Sequence, residues 1–365
     1  MQFDNRYRLI WDIAYVLYFI SFFINDIAFT SESIQLTLVK IVRYLAYLLF
    51  VIYFVFLECV KKKKIVVSLL AILFAAFCTY FTGDIYFATL AFVILSSYYI
   101  KPYHIFRVSY IVLILSTLFV VLGSVIHIFP MINSPRKNGN GARLGLGFYH
   151  SNVLPLILFY LICYKIVISK KRIHLFRIAC WILAGLVVYK LCDSKNGLIC
   201  CLLTVFGYLV FSKTKKGNGF FLFLAKYSIV FLSLFSIVMM LLQGTNSEFS
   251  LLLNRLMSSR LSISYSQYSR MGLHLVSLMD SNTYIDQRSV IDNGYLYIAM
   301  RYGFIYLMLY WFTHFKFAKK HYNQPLVLGI LIVISLANFI DNDLQSYGYL
   351  PVVLSSYSKY ALYEE

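Results

Sequence analysis

The sequence predicts an all-α integral membrane protein, a bundle of about 12 transmembrane helices forming one domain over residues 1–365. Three observations predict it: an apolar composition, a series of span-length apolar runs, and positive charge clustered between those runs. Hydrophobic residues make up 61% of the chain and charged residues only 13%, about half the charged share of a soluble domain. A soluble fold of this length would leave large apolar patches in water, whereas lipid is a favourable solvent for them.

The apolar runs approach the roughly 20 residues that a helix needs to cross the hydrocarbon core. The last run is short and contains Lys359. The predicted spans, in order, are Leu9–Phe29, Ile41–Val60, Ile65–Phe81, Ile85–Ile100, Val108–Phe129, Val153–Ile168, Ile178–Leu191, Gly197–Phe211, Phe220–Leu242, Gly294–Phe312, Pro325–Ile340 and Tyr349–Leu362.

The short loops predict the orientation. Clusters of basic residues fall on alternating turns and therefore share one side, which the positive-inside rule assigns to the cytoplasm, together with both termini. Net charge is +18, but the basic residues lie between apolar runs rather than along one polar face, so membrane lipids rather than nucleic acid are the expected partner. The clusters are Lys61–Lys64, Lys101–Arg107, Lys170–Arg177, Lys213–Lys216 and Lys316–Lys320.

Two predicted outer loops, at about 131–152 and 243–293, are too long to be simple connectors, and long connections usually carry function or are disordered. The first is rich in glycine and holds Arg136, Lys137 and Arg143 on the side where positive charge is disfavoured. A phosphate is a natural partner for such a cation, because the planar guanidinium of arginine grips it with two bonds. Attraction to anionic lipid headgroups is the alternative.

The second loop contains Arg255, Arg260 and Arg270, which either bind phosphate or form local salt bridges with the acidic residues of the same loop. This loop is expected to be partly helical and to fold against the membrane. His274 lies in an apolar stretch there and is either structural or a base. Lys195 lies in a tight turn between two predicted spans, where turn chemistry alone would also explain the polar residues.

Polar residues also mark the entrances to two spans. His150 and Asn152 precede the span at Val153, where the histidine is a general base, an anchor or an ordinary interfacial residue. Asp292 precedes the span at Gly294 and either caps a helix or activates a hydroxyl. Arg301, inside the same apolar run, has to face a polar interior or water. No Walker loop or metal-ligand spacing occurs, so no cofactor or metal is expected.

Four segments resemble motifs of the Wzy-type polysaccharide polymerases, within the O-antigen polymerase and ligase superfamily. Arg143–Asn152 resembles the R-x-G-[FL]-G-x-x-H-P-N motif, and Asp193–Gly197 resembles the S-[RK]-[NT]-G turn. Leu253–Leu261 resembles L-N-x-L-L-S-G-R-L, while Asp292–Leu296 with the later Arg301–Gly303 resembles a D-N-S-Y-L and Y-G pair. The departures from these motifs are Ser151 for proline, Ser259 for glycine and Gly294 for serine.

The resemblance implies a C-type membrane glycosyltransferase of capsule, exopolysaccharide or O-antigen biosynthesis, acting on the outer face of the bacterial cytoplasmic membrane. It would join oligosaccharide repeat units carried on undecaprenyl pyrophosphate, alongside a flippase and a chain-length regulator, and would need no nucleotide sugar. It implies that Arg260 and Arg143 hold pyrophosphate and that the base is Asp292, His150 or His274. The substrate-binding residues implied are Arg255, Arg270, Asn152, Lys195, Asn293, Tyr295 and Arg301.

Three other functions remain open at this level. A lipid-linked oligosaccharide flippase would handle the same substrate with a similar number of spans, but it would place charge near the middle of the bundle. A ligase that transfers finished polymer to another acceptor would share the arginines. A structural membrane protein would use the polar residues only for packing.

Overall fold

A computed structural model describes residues 5–60, 73, 76–77, 80, 86–135, 142–169, 173–214, 218–245, 247–256, 259–276, 291–341 and 348–363. These residues are mostly helical. The predicted span Ile65–Phe81 lies almost wholly outside them. The helices are α1 (Asn5–Asp26), α2 (Glu32–Val60), α3 (Tyr86–Ser96), α4 (Pro102–Val125), α5 (Val153–Ile168), α6 (Leu175–Cys192), α7 (Lys195–Phe211), α8 (Gly219–Gln243), α9 (Glu248–Leu256), α10 (Arg260–Met271), α11 (Gly294–Arg301), α12 (Phe304–Lys320), α13 (Pro325–Ile340) and α14 (Leu350–Tyr357).

Five of these helices, α1, α2, α4, α6 and α8, are long and apolar enough to cross a membrane, and α5, α7 and α13 are shorter apolar helices. Their outward faces are apolar too: on α4, Leu115, Leu118 and Leu122 are 61%, 53% and 61% exposed. These leucines are three and four residues apart and therefore lie on one face of the helix. A soluble protein rarely exposes such a stripe, so length, composition and surface together indicate a helical membrane protein.

The interior is filled by aromatic side chains and held by a few polar bonds. Trp11 and Tyr15 of α1 are fully buried and stack with ring centroids 4.9 Å apart. The Trp11 indole donates to Ser96 Oγ at 3.1 Å, and the Tyr15 hydroxyl lies 2.6 Å from Ser109 Oγ. A buried polar atom needs a hydrogen-bond partner in an apolar interior. Here the partners lie on α3 and α4, so the bonds join α1 to both helices.

The two long predicted loops contain regular structure. In the first, strands β1 (Asn133–Pro135) and β2 (Ala142–Leu144) form an antiparallel pair with Ser134 opposite Arg143. The second contains α9 and α10, and α10 packs against α8. Leu261 of α10 is 4% exposed, so this helix contributes an apolar face to the protein interior.

Several expected helix bounds are wrong: α2 begins at Glu32 instead of Ile41, and α4 begins at Pro102 instead of Val108. Two further predicted spans are not single helices of the expected length. The predicted span Gly294–Phe312 is broken into α11 and α12 at Tyr302 and Gly303. The break has a clear cause: Gly303 has φ of +100°, outside the helical region, and the main-chain carbonyls of His274 and Leu275 accept from Phe304 N and Ile305 N at 2.9 and 3.1 Å. A segment distant in sequence therefore caps α12. The last span, predicted as Tyr349–Leu362, is helical only over α14.

We expect Gly303→Ala to destabilise the fold by about 2 kcal/mol or more, because the φ at this position is strained for any other residue. An added Cβ would also lie 2.7 Å from Leu275 O. The measurement is the midpoint of heat-induced loss of the monodisperse peak in detergent. Gly219→Ala is the matched control, since nothing lies within 4 Å of a Cβ at that position. Equal midpoints for the two variants would contradict this account of the break.

Candidate functional site

Polar side chains converge where several helices begin or end. The beginnings of α5, α7, α10 and α11 meet the ends of α6 and α13 there, linked by side-chain hydrogen bonds. Helix N-termini carry unsatisfied N–H groups and partial positive charge, whereas C-termini carry carbonyls and partial negative charge. Two arginines supply donors to the C-terminal carbonyls of α6 and α13, and side chains of neighbouring residues cap the starts of α7 and α11.

Arg143 lies on β2 and bonds to two elements. Its Nη2 donates to Asn152 Oδ1 at 2.9 Å, and its Nε donates to Cys192 O at 3.3 Å. Asn152 immediately precedes α5, and Cys192 is the last residue of α6. The guanidinium therefore holds the glycine-rich loop against the start of one helix and the end of another.

Arg260, the first residue of α10, has more partners. Its Nε lies 3.0 Å from Asp292 Oδ2, and its Nη1 donates to the main-chain oxygen of Ile340 at the end of α13. With its amide oriented so that the oxygen faces the guanidinium, the assignment that satisfies both groups, Asn196 accepts from Nη1 and Nη2 at 3.1 and 2.6 Å. The side chains of Arg260 and Asp292 are 22% and 35% exposed, so the ion pair is partly shielded from water but still reachable.

The turn between α6 and α7 lies between the two arginines. Before the turn, the main-chain oxygen of Cys192 accepts from Arg143. After the turn, the side-chain oxygen of Asn196 accepts from Arg260. Asp193 has φ of +49°, and Ser194 Oγ accepts from Gly197 N at 3.4 Å, which starts α7 immediately after the turn. Sequence reasoning did not select Cys192 or Asn196 as site residues; Asn196 belongs to the resemblance motif, whereas nothing local marks Cys192.

Gly197 allows α7 to start so close to α5. A Cβ at this position would lie 2.1 Å from the Cβ of Pro155 on α5, so only glycine permits this approach. The close contact between the two helix starts places Asn196 and Asn152 on the same side of the bundle.

His150 belongs to the same cluster. Burial lowers the pKa of its imidazole, the positive charges of Arg143 and Arg260 lower it further, and the negative charge of Asp292 opposes them. Its Nδ1 accepts from Asn152 N at 3.2 Å, which leaves the proton of the neutral ring on Nε2. At neutral pH the imidazole is therefore uncharged, and Nε2 is a hydrogen-bond donor.

The sequence left Asp292 as either a helix cap or a base, and the residue that caps the helix is its neighbour. Asn293, not Asp292, caps α11: its Oδ1 accepts from Tyr295 N and Leu296 N at 3.0 and 3.1 Å. Its Nδ2 donates to Ser236 Oγ and Phe339 O at 2.9 and 3.0 Å, so the amide is used on both sides. The carboxylate of Asp292 is thereby left to face Arg260.

A small pocket lies beside this ion pair, with a cavity volume of about 10 Å³, enough for about one water molecule. Arg260 and Asp292 lie at its polar edge, and most of the remaining wall is apolar. The other lining residues are Ser236, Met239, Leu261, Ser264, Asn293, Leu296, Phe339 and Ile340.

Two predicted site residues lie in the packed part of α11 and its neighbourhood. Tyr295 is fully buried, and its hydroxyl donates to Ser335 O at 2.6 Å. Arg301 is the last residue of α11, roughly 9 Å from Tyr295 along the helix axis. Its guanidinium contacts the Tyr297 hydroxyl and lies 5.4 and 5.3 Å from the ring centroids of Tyr297 and Tyr302.

The remaining predicted residues are exposed. Lys195 is the first residue of α7, next to the cluster, whereas Arg255 and Arg270 lie in the last turns of α9 and α10. His274 donates from Nε2 to Met271 O at 2.6 Å while its carbonyl caps α12, which favours the structural role for this histidine. The residues brought together are thus Arg143, His150, Asn152, Arg260, Asp292 and Asn293, with Lys195 beside them.

The fold and the site define a helical membrane protein with a cationic, partly shielded cluster where its helices meet. Among the described residues, no group of three or more His, Cys, Asp or Glu side chains is placed to hold a metal ion. Comparison with models of protein families, with characterised proteins and with solved structures finds no match. The functional argument therefore rests on the chemistry of the cluster.

We expect Asn293→Ala to cost about 2–3 kcal/mol, because it removes a helix cap and leaves two buried partners without a donor. Asn218→Ala is the matched control: Asn218 caps α8 with one bond, to Phe220 N at 3.0 Å, and should cost only about 1 kcal/mol. Thermal midpoints in detergent measure both, and a smaller loss for Asn293→Ala than for Asn218→Ala would refute this role.

Replacing Arg143 by glutamine should raise the pKa of His150, because it removes a positive charge that opposes protonation of the imidazole. Burial, the larger cause, remains, so the pKa should stay below its ordinary value. Titration of the ring by NMR with labelled histidine measures the shift. Arg177→Gln, at an exposed site on α6, is the control; a His150 pKa unchanged in Arg143→Gln would disprove the coupling.

Proposed function

We propose that this protein is a polysaccharide polymerase that joins oligosaccharide repeat units carried on undecaprenyl pyrophosphate. The observation that carries the proposal is the convergence of Arg143, Arg260, His150 and Asp292, which come from three separate parts of the chain. The order of the motifs in the sequence that resemble Wzy-type polymerases supports it independently. The C-type architecture of about 12 spans, the outer-face location and the cytoplasmic termini are parts of this proposal.

The cluster has the chemistry that a pyrophosphate leaving group requires. Arg143 and Arg260 present planar sets of N–H donors, which suit phosphate oxygens. The starts of α5, α7 and α11 add the partial positive charge of their helix dipoles. Fixed donors in a partly shielded site stabilise developing negative charge by a few kcal/mol each, without a metal ion.

In the proposed reaction, a sugar hydroxyl of the incoming unit attacks the anomeric carbon of the growing chain. A new carbon–oxygen bond forms there while the bond from that carbon to the pyrophosphate oxygen breaks, and undecaprenyl pyrophosphate leaves with the electron pair. The hydroxyl proton goes to a base. Asp292 suits this role better than His150, because the free nitrogen of the neutral imidazole already carries a proton. His150 Nε2 would then donate a hydrogen bond to substrate.

A flippase for the same lipid-linked oligosaccharide is the second candidate, and one observation favours it. His314 of α12 is fully buried among the helices, with Nδ1 2.5 Å from the Tyr349 hydroxyl and Nε2 2.6 Å from Ala225 O. Polar groups at such depth often mark transport pathways, although they also join helices. The arginines are at the helix ends instead, which favours the polymerase. A ligase would use the same arginines with a different acceptor.

We expect purified protein to convert pyrophosphate-linked repeat units into a ladder of longer products without added metal or nucleotide. Arg260→Ala should lose at least about 100-fold in rate, a loss typical of removing one donor from a charge-stabilising site. Arg177→Ala, an exposed substitution on the first turn of α6, is the matched control and should keep the ladder. Products are resolved on gels, with gel filtration confirming that each variant is folded.

The outcomes separate the candidate functions. Movement of the same lipid across liposomes by folded wild type, without a ladder, would replace the polymerase by the flippase. Transfer of preformed polymer to a different acceptor, again without a ladder, would indicate the ligase. A ladder that survives Arg260→Ala would show that the cluster around Arg260 is not the polymerising site.

A further inference from the structure

The guanidinium of Arg260 is engaged on three sides. Asp292 faces Nε, Asn196 faces both terminal nitrogens, and the carbonyl of Ile340 accepts from Nη1. A guanidinium has only five N–H groups, arranged in one plane. An anion that grips Arg260 with two bonds therefore has to replace one of these acceptors.

Asp292 is the acceptor that an anion would replace. Ile340 O is a main-chain atom at the end of α13, and Asn196 is held in the first turn of α7, whereas Asp292 is a side chain that is 35% exposed. A pyrophosphate diester carries two negative charges against one on the carboxylate, so the exchange favours pyrophosphate at Arg260. Asn196 and Ile340 would keep the arginine oriented during the exchange.

We propose that the ion pair between Asp292 and Arg260 is a latch, which the donor's pyrophosphate opens and which thereby frees Asp292 as the base. While paired, Asp292 Oδ2 is occupied by Arg260 Nε, 3.0 Å away. Once pyrophosphate takes the place of this carboxylate on Arg260, Oδ2 is free to accept the proton of the acceptor hydroxyl. This inference rests on the proposed function for the identity of the anion.

The latch has a chemical benefit. The base becomes available only when the leaving group is in place, so the order of events is donor first and proton transfer second. Asp292 also interacts with His150, whose protonated form it favours, so a freed carboxylate stays within the electrostatic reach of the imidazole. The cluster would thus couple recognition of the donor to activation of the acceptor hydroxyl.

Binding of inorganic pyrophosphate to the full-length protein in detergent, measured by calorimetry, tests the latch. Asp292→Asn should bind about three- to tenfold more tightly than wild type, because no carboxylate competes for Arg260. Glu248→Gln removes one negative charge from an exposed position at the start of α9 and should leave the affinity unchanged. Wild-type affinity in Asp292→Asn, or no pyrophosphate binding by wild type at millimolar concentrations, would overturn the proposal.

A second measurement needs no variant and separates a latch from simple loss of nearby negative charge. Carboxylates of wild type are labelled with a carbodiimide and an amine and quantified by mass spectrometry, with Glu248 as the internal standard. Pyrophosphate should increase labelling of Asp292 severalfold relative to Glu248. Unchanged or reduced labelling would show that the ion pair stays closed and would refute the latch.

Failure of the latch and failure of the proposed function give different results. A protein that forms the ladder of products but shows no tighter binding in Asp292→Asn keeps its polymerase function and loses the latch. A protein that passes both the calorimetric test and the labelling test but forms no ladder has an ion pair that pyrophosphate opens. It is then not a polymerase.

Discussion

The guanidinium of Arg260 requires several acceptors, and it obtains them from elements that are far apart in the chain. Asn196 at the start of α7, Asp292 before α11 and Ile340 at the end of α13 all meet this one group. Apolar packing between helices is weakly directional in lipid, where no hydrophobic driving force distinguishes one helix pair from another. Directional bonds at the helix ends therefore determine how these helices are aligned, and the rest of the site depends on that alignment.

Arg143 bonds the first long loop to helix ends, as Arg260 does for the second long loop. Each arginine lies on a connection between apolar helices and donates to the C-terminal carbonyl of one helix, Cys192 in one case and Ile340 in the other. Both also bond to an asparagine at the start of another helix. The turn between α6 and α7 contacts both guanidinium groups, so the two loops are joined through it. The same bonds that satisfy helix ends also bring the positive charges of the two arginines into one cluster.

The adjacent residues Asp292 and Asn293 point in different directions and have different partners. Asn293 turns its amide inward, where it caps α11 and donates to Ser236, and Asp292 turns outward to Arg260. Successive residues before a helix point in different directions, so the buried bonds of Asn293 can fix the position of Asp292 beside it. The small pocket beside them combines this ion pair with mostly apolar walls.

The sequence by itself determined the helical membrane class and the position of most helices, since length and apolarity are local properties. The predicted spans Val153–Ile168 and Pro325–Ile340 coincide with α5 and α13. It also indicated most of the cluster, because cations in predicted outer loops need a physical explanation. Only the tertiary structure decided which residues meet: Cys192 and Asn196 join the arginines, Asn293 takes the cap, and residues 274–275 end one helix and start the next at Gly303. The bonds of the arginines and the break at Gly303 depend on contacts across dozens of residues, which local periodicity and charge do not encode. The cap is local, but the choice of Asn293 over Asp292 follows from its contacts with Ser236 and Phe339, which are also distant in the chain.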